Sequence, residues 1–353
     1  MRSLEDVEGV GPAVARKLKA VFITTAELLA VQNPVELQVK AGIGEGTAKK
    51  IVSNARRLVG LHGFRSGLEV ERVMVEEPKL TTGIASVDEA LLGGIECGSI
   101  VEFYGPARGG KTQWCTHLAV RVQLPPGQGG LGGRVLWLDS ENSFKPWLVR
   151  GVAYRFGLNP EAALGNIRRA KMILASQITE TFDTIPQICA EQNIKLVIID
   201  SLTGLFRAEY VGLEALRIRQ QDLNVLLNHM RRTAAATGTI FLYTNQVMAS
   251  ISTYGGNPNT PAGGHILSHG SDYRFYTRRK KDDIRILQLQ DNAGIPEFSV
   301  ELKLGWGGFY ADKSEKSSTE PDVREYLQSI GWGGASGEVE DGHEEAGVVE
   351  AGE

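Results

Sequence analysis

Apolar and polar positions follow two different rhythms along this chain. Over the first sixty residues the apolar positions recur at helical spacing in short stretches broken by glycines, without strand-like alternation. That pattern predicts a small all-α unit over 1–60. Further on the rhythm changes. IVEFY (100–104), RVLWLD (134–139), KLVIID (195–200) and TIFLYT (239–244) are short apolar runs, rich in β-branched and aromatic residues and separated by helical stretches. Runs that are apolar throughout imply strands buried on both faces, hence a mainly parallel sheet with crossover helices. An α/β core is therefore expected over 81–310, joined to the helical unit by a linker over 61–80.

Composition sharpens this outline. The 353 residues exceed one typical domain, and 42% hydrophobic content with 23% charge suffices for a sizeable core. No apolar run approaches the roughly 18–20 residues of a membrane span, and MRSLEDVEGVG lacks the apolar stretch of a secretory signal. A cytoplasmic protein without a membrane partner is expected. Cys97, Cys115 and Cys189 have neither the even count nor the spacing of a disulfide framework or zinc site, and read as buried thiols. The net charge of −4 conceals a split, because residues 311–353 hold twelve Asp/Glu against Lys313, Lys316 and Arg324. The body is thus mildly basic, and 311–353 reads as an acidic, disordered tail.

A glycine pattern occurs twice in the helical unit. VEGVGPAVARKL sets Gly9 and Gly11 before a helix carrying Ala15 and Leu18, and AGIGEGTAKKIV sets Gly42 and Gly44 before Ala48 and Ile51. Glycines at such turns let the amides of a helix start approach a phosphate closely, which is the logic of a helix-hairpin-helix unit gripping DNA backbone. Lys17, Lys19, Lys49, Lys50, Arg56 and Arg57 supply positive charge nearby. A packing module whose glycines only make turns is the plain alternative.

The strongest chemical signal follows the first apolar run. In GPARGGKT, Gly105, Pro106, Ala107, Arg108, Gly109, Gly110, Lys111 and Thr112 have the spacing of a phosphate-binding loop, with Gln113 next in the helix it opens. The loop amides would converge on a β-phosphate, Lys111 would reach β/γ oxygens and Thr112 would ligate Mg²⁺. KLVIID ends in Asp200, where a second carboxylate for Mg²⁺ belongs, and WLDSEN brings Glu141 to the same sheet edge, where it could orient or deprotonate an attacking water. TIFLYTNQ places Asn245 and Gln246 at a strand end, where an amide could sense the γ-phosphate.

In order and motif, GFRSG, TTGIAS, GPARGGKTQ, QLPPGQGGLGG, WLDSENSF, LVIIDSLTGLFRAEY, RQQ, TNQV, PAGGHILSH and LQDNAGIPE make residues 5–310 resemble the archaeal RadA recombinases, distant relatives of bacterial RecA. The resemblance implies a RecA-like P-loop ATPase core using ATP and Mg²⁺, with K⁺ a further candidate ion. It also implies a filament or ring of identical subunits holding single-stranded DNA for exchange into a duplex, with other recombination proteins as candidate partners. Lys111, Glu141 and Gln246 match the catalytic set, and Thr112 with Asp200 the metal set. Asp291 and Pro296 match a cap laid over the neighbouring subunit's nucleotide, and His269 a residue near its γ-phosphate. Phe64 with Gly67 matches the polymerisation motif. The loops 207–219 and 248–264 correspond to the two that face DNA, with Arg207, Arg219 and Tyr254 as candidate contacts.

Several positions depart from that pattern. Leu213 and Glu214 stand where the family carries Arg-Gly, and MASISTYGGNPNTPAGG contains no Arg or Lys. Arg278, Arg279, Lys280 and Lys281 offer compensating charge. Leu148, beside Trp147, replaces an adenine-stacking arginine, and Met172 stands where a small residue receives the linker aromatic. Two readings follow: a DNA-dependent ATPase and strand-exchange recombinase, or a divergent paralogue acting as an ATP-binding recombination mediator.

Overall fold

The computed structural model describes residues 1–210, 212–249, 259–261 and 264–332. At the N-terminus α1 (Pro12–Lys19), α2 (Ala26–Ala30), α3 (Pro34–Ala41) and α4 (Glu45–Leu58) enclose a small core of Leu4, Val10, Leu18, Leu29, Leu37, Ile43, Ile51 and Val52. Thr25 and Asn33 cap α2 and α3 by accepting the Leu28 and Val35 N–H groups. Next comes α5 (Gly67–Glu76), inside the expected linker; it opens on a Ser66–Glu69 capping box and buries none of its residues.

The remainder builds around one large sheet. After β1 (Lys79–Leu80), α6 (Ala85–Ala90) and β2 (Ile95–Glu96) come β3 (Ile100–Gly105), α7 (Lys111–Arg121), β4 (Arg134–Asp139), α8 (Pro146–Arg155) and α9 (Pro160–Gly165). There follow β5 (Ile167–Lys171), α10 (Ala175–Thr181), α11 (Ile185–Glu191), β6 (Ile194–Asp200), α12 (Leu202–Glu209), α13 (Leu213–Thr237) and β7 (Ile240–Ala249). The chain continues through β8 (Asn259–Pro261), α14 (Gly264–Gly270), β9 (Tyr273–Arg279), β10 (Ile284–Asp291), β11 (Phe298–Gly305), β12 (Gly308–Tyr310) and α15 (Lys313–Ser329). The strand order is β12-β11-β10-β9-β3-β7-β6-β4-β5, with β8 on β7. From β9 to β5 every pairing is parallel, and the β9–β12 side is antiparallel. All four apolar runs lie in the parallel part, so the expected α/β class with a mainly parallel sheet holds.

Alternation along the strands divides the core in two. Val101, Phe103, Trp137, Ile198 and Leu242 face α7 and α8. Leu138, Val197, Ile199, Phe241 and Tyr243 face α10–α13. Parallel strands require this covering on both faces, which is why they read as unbroken apolar runs.

The expected tail over 311–353 does not begin at 311. Asp312 caps α15 by accepting the Glu315 N–H, and Val323 and Leu327 are buried. Tyr326 stacks on Tyr154 of α8 at 4.6 Å, while the buried Glu320 accepts the Trp306 N–H and the Tyr310 hydroxyl. Acidic composition averaged over the segment hid these core-facing positions at helical spacing; residues 333–353 lie outside the described ones. Cys115 and Cys189 are buried, but Cys97 is only partly so.

Candidate functional site

Strand β3 delivers the chain into the loop 105–110, and α7 carries it away. Gly105 has φ +149, and a Cβ there would stand 2.0 Å from the Thr277 carbonyl of β9, so only glycine fits. Gly110, at φ +107, is the left-handed residue from which α7 starts. Thr277 Oγ1 donates to the Gly109 carbonyl at 2.8 Å and ties the loop to the neighbouring strand. Ala107 and Arg108 are exposed at the loop tip, Pro106 and Gln113 are partly buried, and Lys111 donates to the carbonyls of Gly105 and Pro106 at 2.9 Å each. Burial lowers the Lys111 pKa, opposed by the negative charges of Glu141 and Asp200.

Two hydrogen-bonded groups of side chains meet at this sheet edge. In the first, Asp200 Oδ2 accepts from Thr112 Oγ1 at 2.8 Å and from Ser143 Oγ at 2.6 Å, and Oδ1 accepts from Thr244. Burial pushes the Asp200 carboxyl up against these donors, which hold it down. In the second, Glu141 Oε1 accepts from Ser201 Oγ at 2.6 Å and from Gln246 Nε2 at 3.0 Å. The structure thus brings together Lys111, Thr112, Glu141, Asp200 and Gln246. It adds Ser143, Ser201 and Thr244, which sequence reading missed because hydroxyl residues near strand ends carry no motif of their own. Thr112 and Asp200 present hard oxygen donors 2.8 Å apart at a helix start, a set that suits Mg²⁺, which takes one or two protein ligands beside phosphate and water.

Other expected residues lie elsewhere. Asp291 and His269 are exposed and, with Ser99 and Asp272, line a cavity of about 780 Å³ at the end of β3 opposite the loop; Pro296 is exposed nearby in sequence. Phe64 is fully exposed, and Gly67 opens α5. Arg207 is exposed on α12 and Arg219 partly buried on α13, whereas Tyr254 lies outside the described residues. Trp147 stacks on Trp332 at 4.8 Å, and Met172 is buried. Arg278, Arg279, Lys280 and Lys281 are exposed just beyond Thr277, with Lys280 paired to Glu301.

The two glycine turns share one geometry. Gly9 and Gly42 are left-handed at φ +93 and +59, and Gly11 and Gly44 are the N-caps of α1 and α4. Val10 and Ile43 between them are buried while all four glycines stay exposed. Much of the expected positive charge is compensated locally. Lys19, Lys49 and Lys50 pair with Glu5, Glu45 and Glu8, and Arg56 turns inward to the carbonyls of Ala30 and Gln32.

Among the described residues no helix is long and apolar enough to cross a membrane. Comparison with known families gives two matches. The Rad51 family model covers residues 74–311, and the model of a SAM-like helix-hairpin-helix tandem covers 1–57.

Proposed function

The chain belongs to the Rad51 family and carries an N-terminal helix-hairpin-helix domain, and from that premise we propose that it is a DNA-dependent ATPase and strand-exchange recombinase of the archaeal RadA type. It would act in homologous recombination and repair in the cytoplasm, on the nucleoid. The observation that carries this reading is the adjoining pair of contacts at one sheet edge, Thr112–Asp200 and Glu141–Gln246. Lys111 and the loop amides hold the phosphates of ATP. Thr112 and Asp200 hold Mg²⁺, which when bound neutralises charge on the transferred phosphoryl group. Glu141 orients the attacking water and accepts its proton, and Gln246 links this carboxylate to the chain segment that follows β7. Asp291, Pro296 and His269 serve the nucleotide of a neighbouring subunit, and Phe64 with Gly67 joins subunits. Arg207, Arg219, Tyr254 and the turns at Gly9, Gly11, Gly42 and Gly44 face single- and double-stranded DNA.

The test is ATP hydrolysis with and without single-stranded DNA, beside a joint-molecule assay. We expect stimulation by DNA, and a Glu141→Gln variant that binds ATP yet hydrolyses it at least about 100-fold more slowly. The paired lysines of the helical unit, with Glu214 in the first turn of α13, favour a second reading, a paralogue acting as a recombination mediator. ATP binding with no stimulation and no joint molecules would select it.

A further inference from the structure

Glu102 takes no part in the phosphate-loop chemistry, although it lies on β3 three residues before Gly105. Its side chain is completely buried, where a carboxylate has to be paired and hydrogen-bonded. Partners come from both flanking strands. Arg274 Nε on β9 donates to Oε2 at 2.8 Å, and Asn245 Nδ2 on β7 donates to Oε1 at 2.8 Å. Asn245 Oδ1 in turn accepts from Thr203 Oγ1 at 2.7 Å, in the first turn of α12. These neighbours fix the amide's orientation, since a carboxylate only accepts and the hydroxyl donates to the remaining oxygen. On its far side Arg274 lies 3.8 Å from Asp291 and over the ring of Tyr104, which immediately precedes Gly105.

Successive side chains of a strand point to opposite faces. Asn245 therefore faces α12 while its neighbour Gln246 faces Glu141, so one strand end touches both the helix and the carboxylate. A buried ion pair is weak evidence for stability, because apolar packing of equal volume often does as well. Its value here lies in what it holds still.

We propose that Glu102 and Thr203 are positioning residues that couple α12 to the Glu141–Gln246 pair. Glu102 clamps Asn245 from the sheet, Thr203 engages it from the helix, and displacement of α12 moves the end of β7 and with it Gln246. Helix α12 carries the exposed Arg207 near its C-terminus, so a phosphate backbone held there has a short route to the hydrolytic carboxylate. This inference rests on the proposed function, in that it takes ATP hydrolysis at the loop and DNA at α12 as given.

The test uses full-length wild type, Thr203→Val, Thr203→Ser and Glu102→Gln, measuring ATP turnover across ATP concentrations with and without single-stranded DNA. Thr203→Val should keep the wild-type KM for ATP and the unstimulated rate. Its stimulation by DNA should fall roughly fivefold or more, the factor implied by one lost hydrogen bond, and Thr203→Ser should restore it. Glu102→Gln should lose stimulation likewise. Should that variant not fold, the Thr203 pair decides alone. Full stimulation in Thr203→Val beside a stimulated wild type overturns the coupling and leaves the proposed function standing. A wild type that DNA does not stimulate overturns the proposed function, and the coupling with it.

Discussion

His117 is wholly buried on α7, where Nδ1 accepts the Phe309 N–H at 3.2 Å, so the proton resides on Nε2 and is donated to the Thr82 carbonyl at 2.7 Å. Burial pushes its pKa down to about 3, helped by the positive charge of Arg155. In the unfolded chain it titrates near 6.5. The unfolded state therefore takes up the proton first on acidification. The stabilisation is complete above about pH 6.5 and is lost progressively as pH falls toward 3, by at most about 1.4 kcal/mol per pH unit from this group. Glutamine could donate to Thr82 and accept from Phe309 without titrating. Melting temperature measured from pH 7 to pH 4 should fall less steeply in His117→Gln than in wild type, and parallel slopes would refute the assignment. The same scale explains which site residues were legible in the sequence. Lys111 and Thr112 sit at a fixed motif spacing, Asp200 ends an apolar run and Glu141 follows one by two residues. Ser143, Thr203 and Glu102 could not be read, because their partners stand 57, 42 and 143 positions away along the chain.

Among the elements, the four apolar runs were read correctly because a strand buried on both faces announces itself locally. The antiparallel strands β9–β12 do not announce themselves in the same way: exposed positions break the run in β9, β10 and β11, where partial and exposed positions alternate over Phe298–Glu301, and β12 is only three residues long. Helix α15 was missed for a different reason. Its core-facing residues, Glu320, Val323 and Leu327, are three among many charged neighbours, and one of them is itself an acid that becomes buried only because Trp306 and Tyr310 donate to it. Burying a Val and a Leu contributes roughly 1.5–3 kcal/mol each. Truncation after Asp312 should therefore lower the melting temperature by about 5 °C or more, whereas removal of 333–353, an acidic, Gly-rich stretch of disorder-like composition, should leave it unchanged. Equal melting of the two truncations would mean that α15 does not support the core.

At the scale of the whole molecule, the helical unit rests on α13, where Arg232 meets Glu36 at 2.6 Å and Ala236 joins the small core, and on the turn between α10 and α11, where Lys40 meets Asp183 at 3.2 Å. Docking of this kind was not visible in the sequence, which predicted the two units but not their contact. If the proposed site residues act together, their placement requires assembly. The loop 105–110 ends β3, while Asp291 and His269 line the cavity toward the strand's other end; Asp291 pairs with Arg274, the register partner of Glu102, so it stands two strands across and about 10 Å short of Gly105 along the strand direction. Within one chain these groups do not converge, so a site using both needs a second copy. The segment that could join copies has the physical character of a docking piece. Phe64 is fully exposed, and Leu68, Val73 and Val75 on α5 are exposed beyond it. An isolated ten-residue helix is marginal in water, and an apolar surface of this kind marks an interaction site. Phe64→Ala should therefore remain folded, with the melting temperature of the wild type, yet run mainly as a monomer in light scattering where the wild type is expected to run as larger assemblies. Rings or filaments of unchanged mass in that variant would show that the linker aromatic does not hold the copies together.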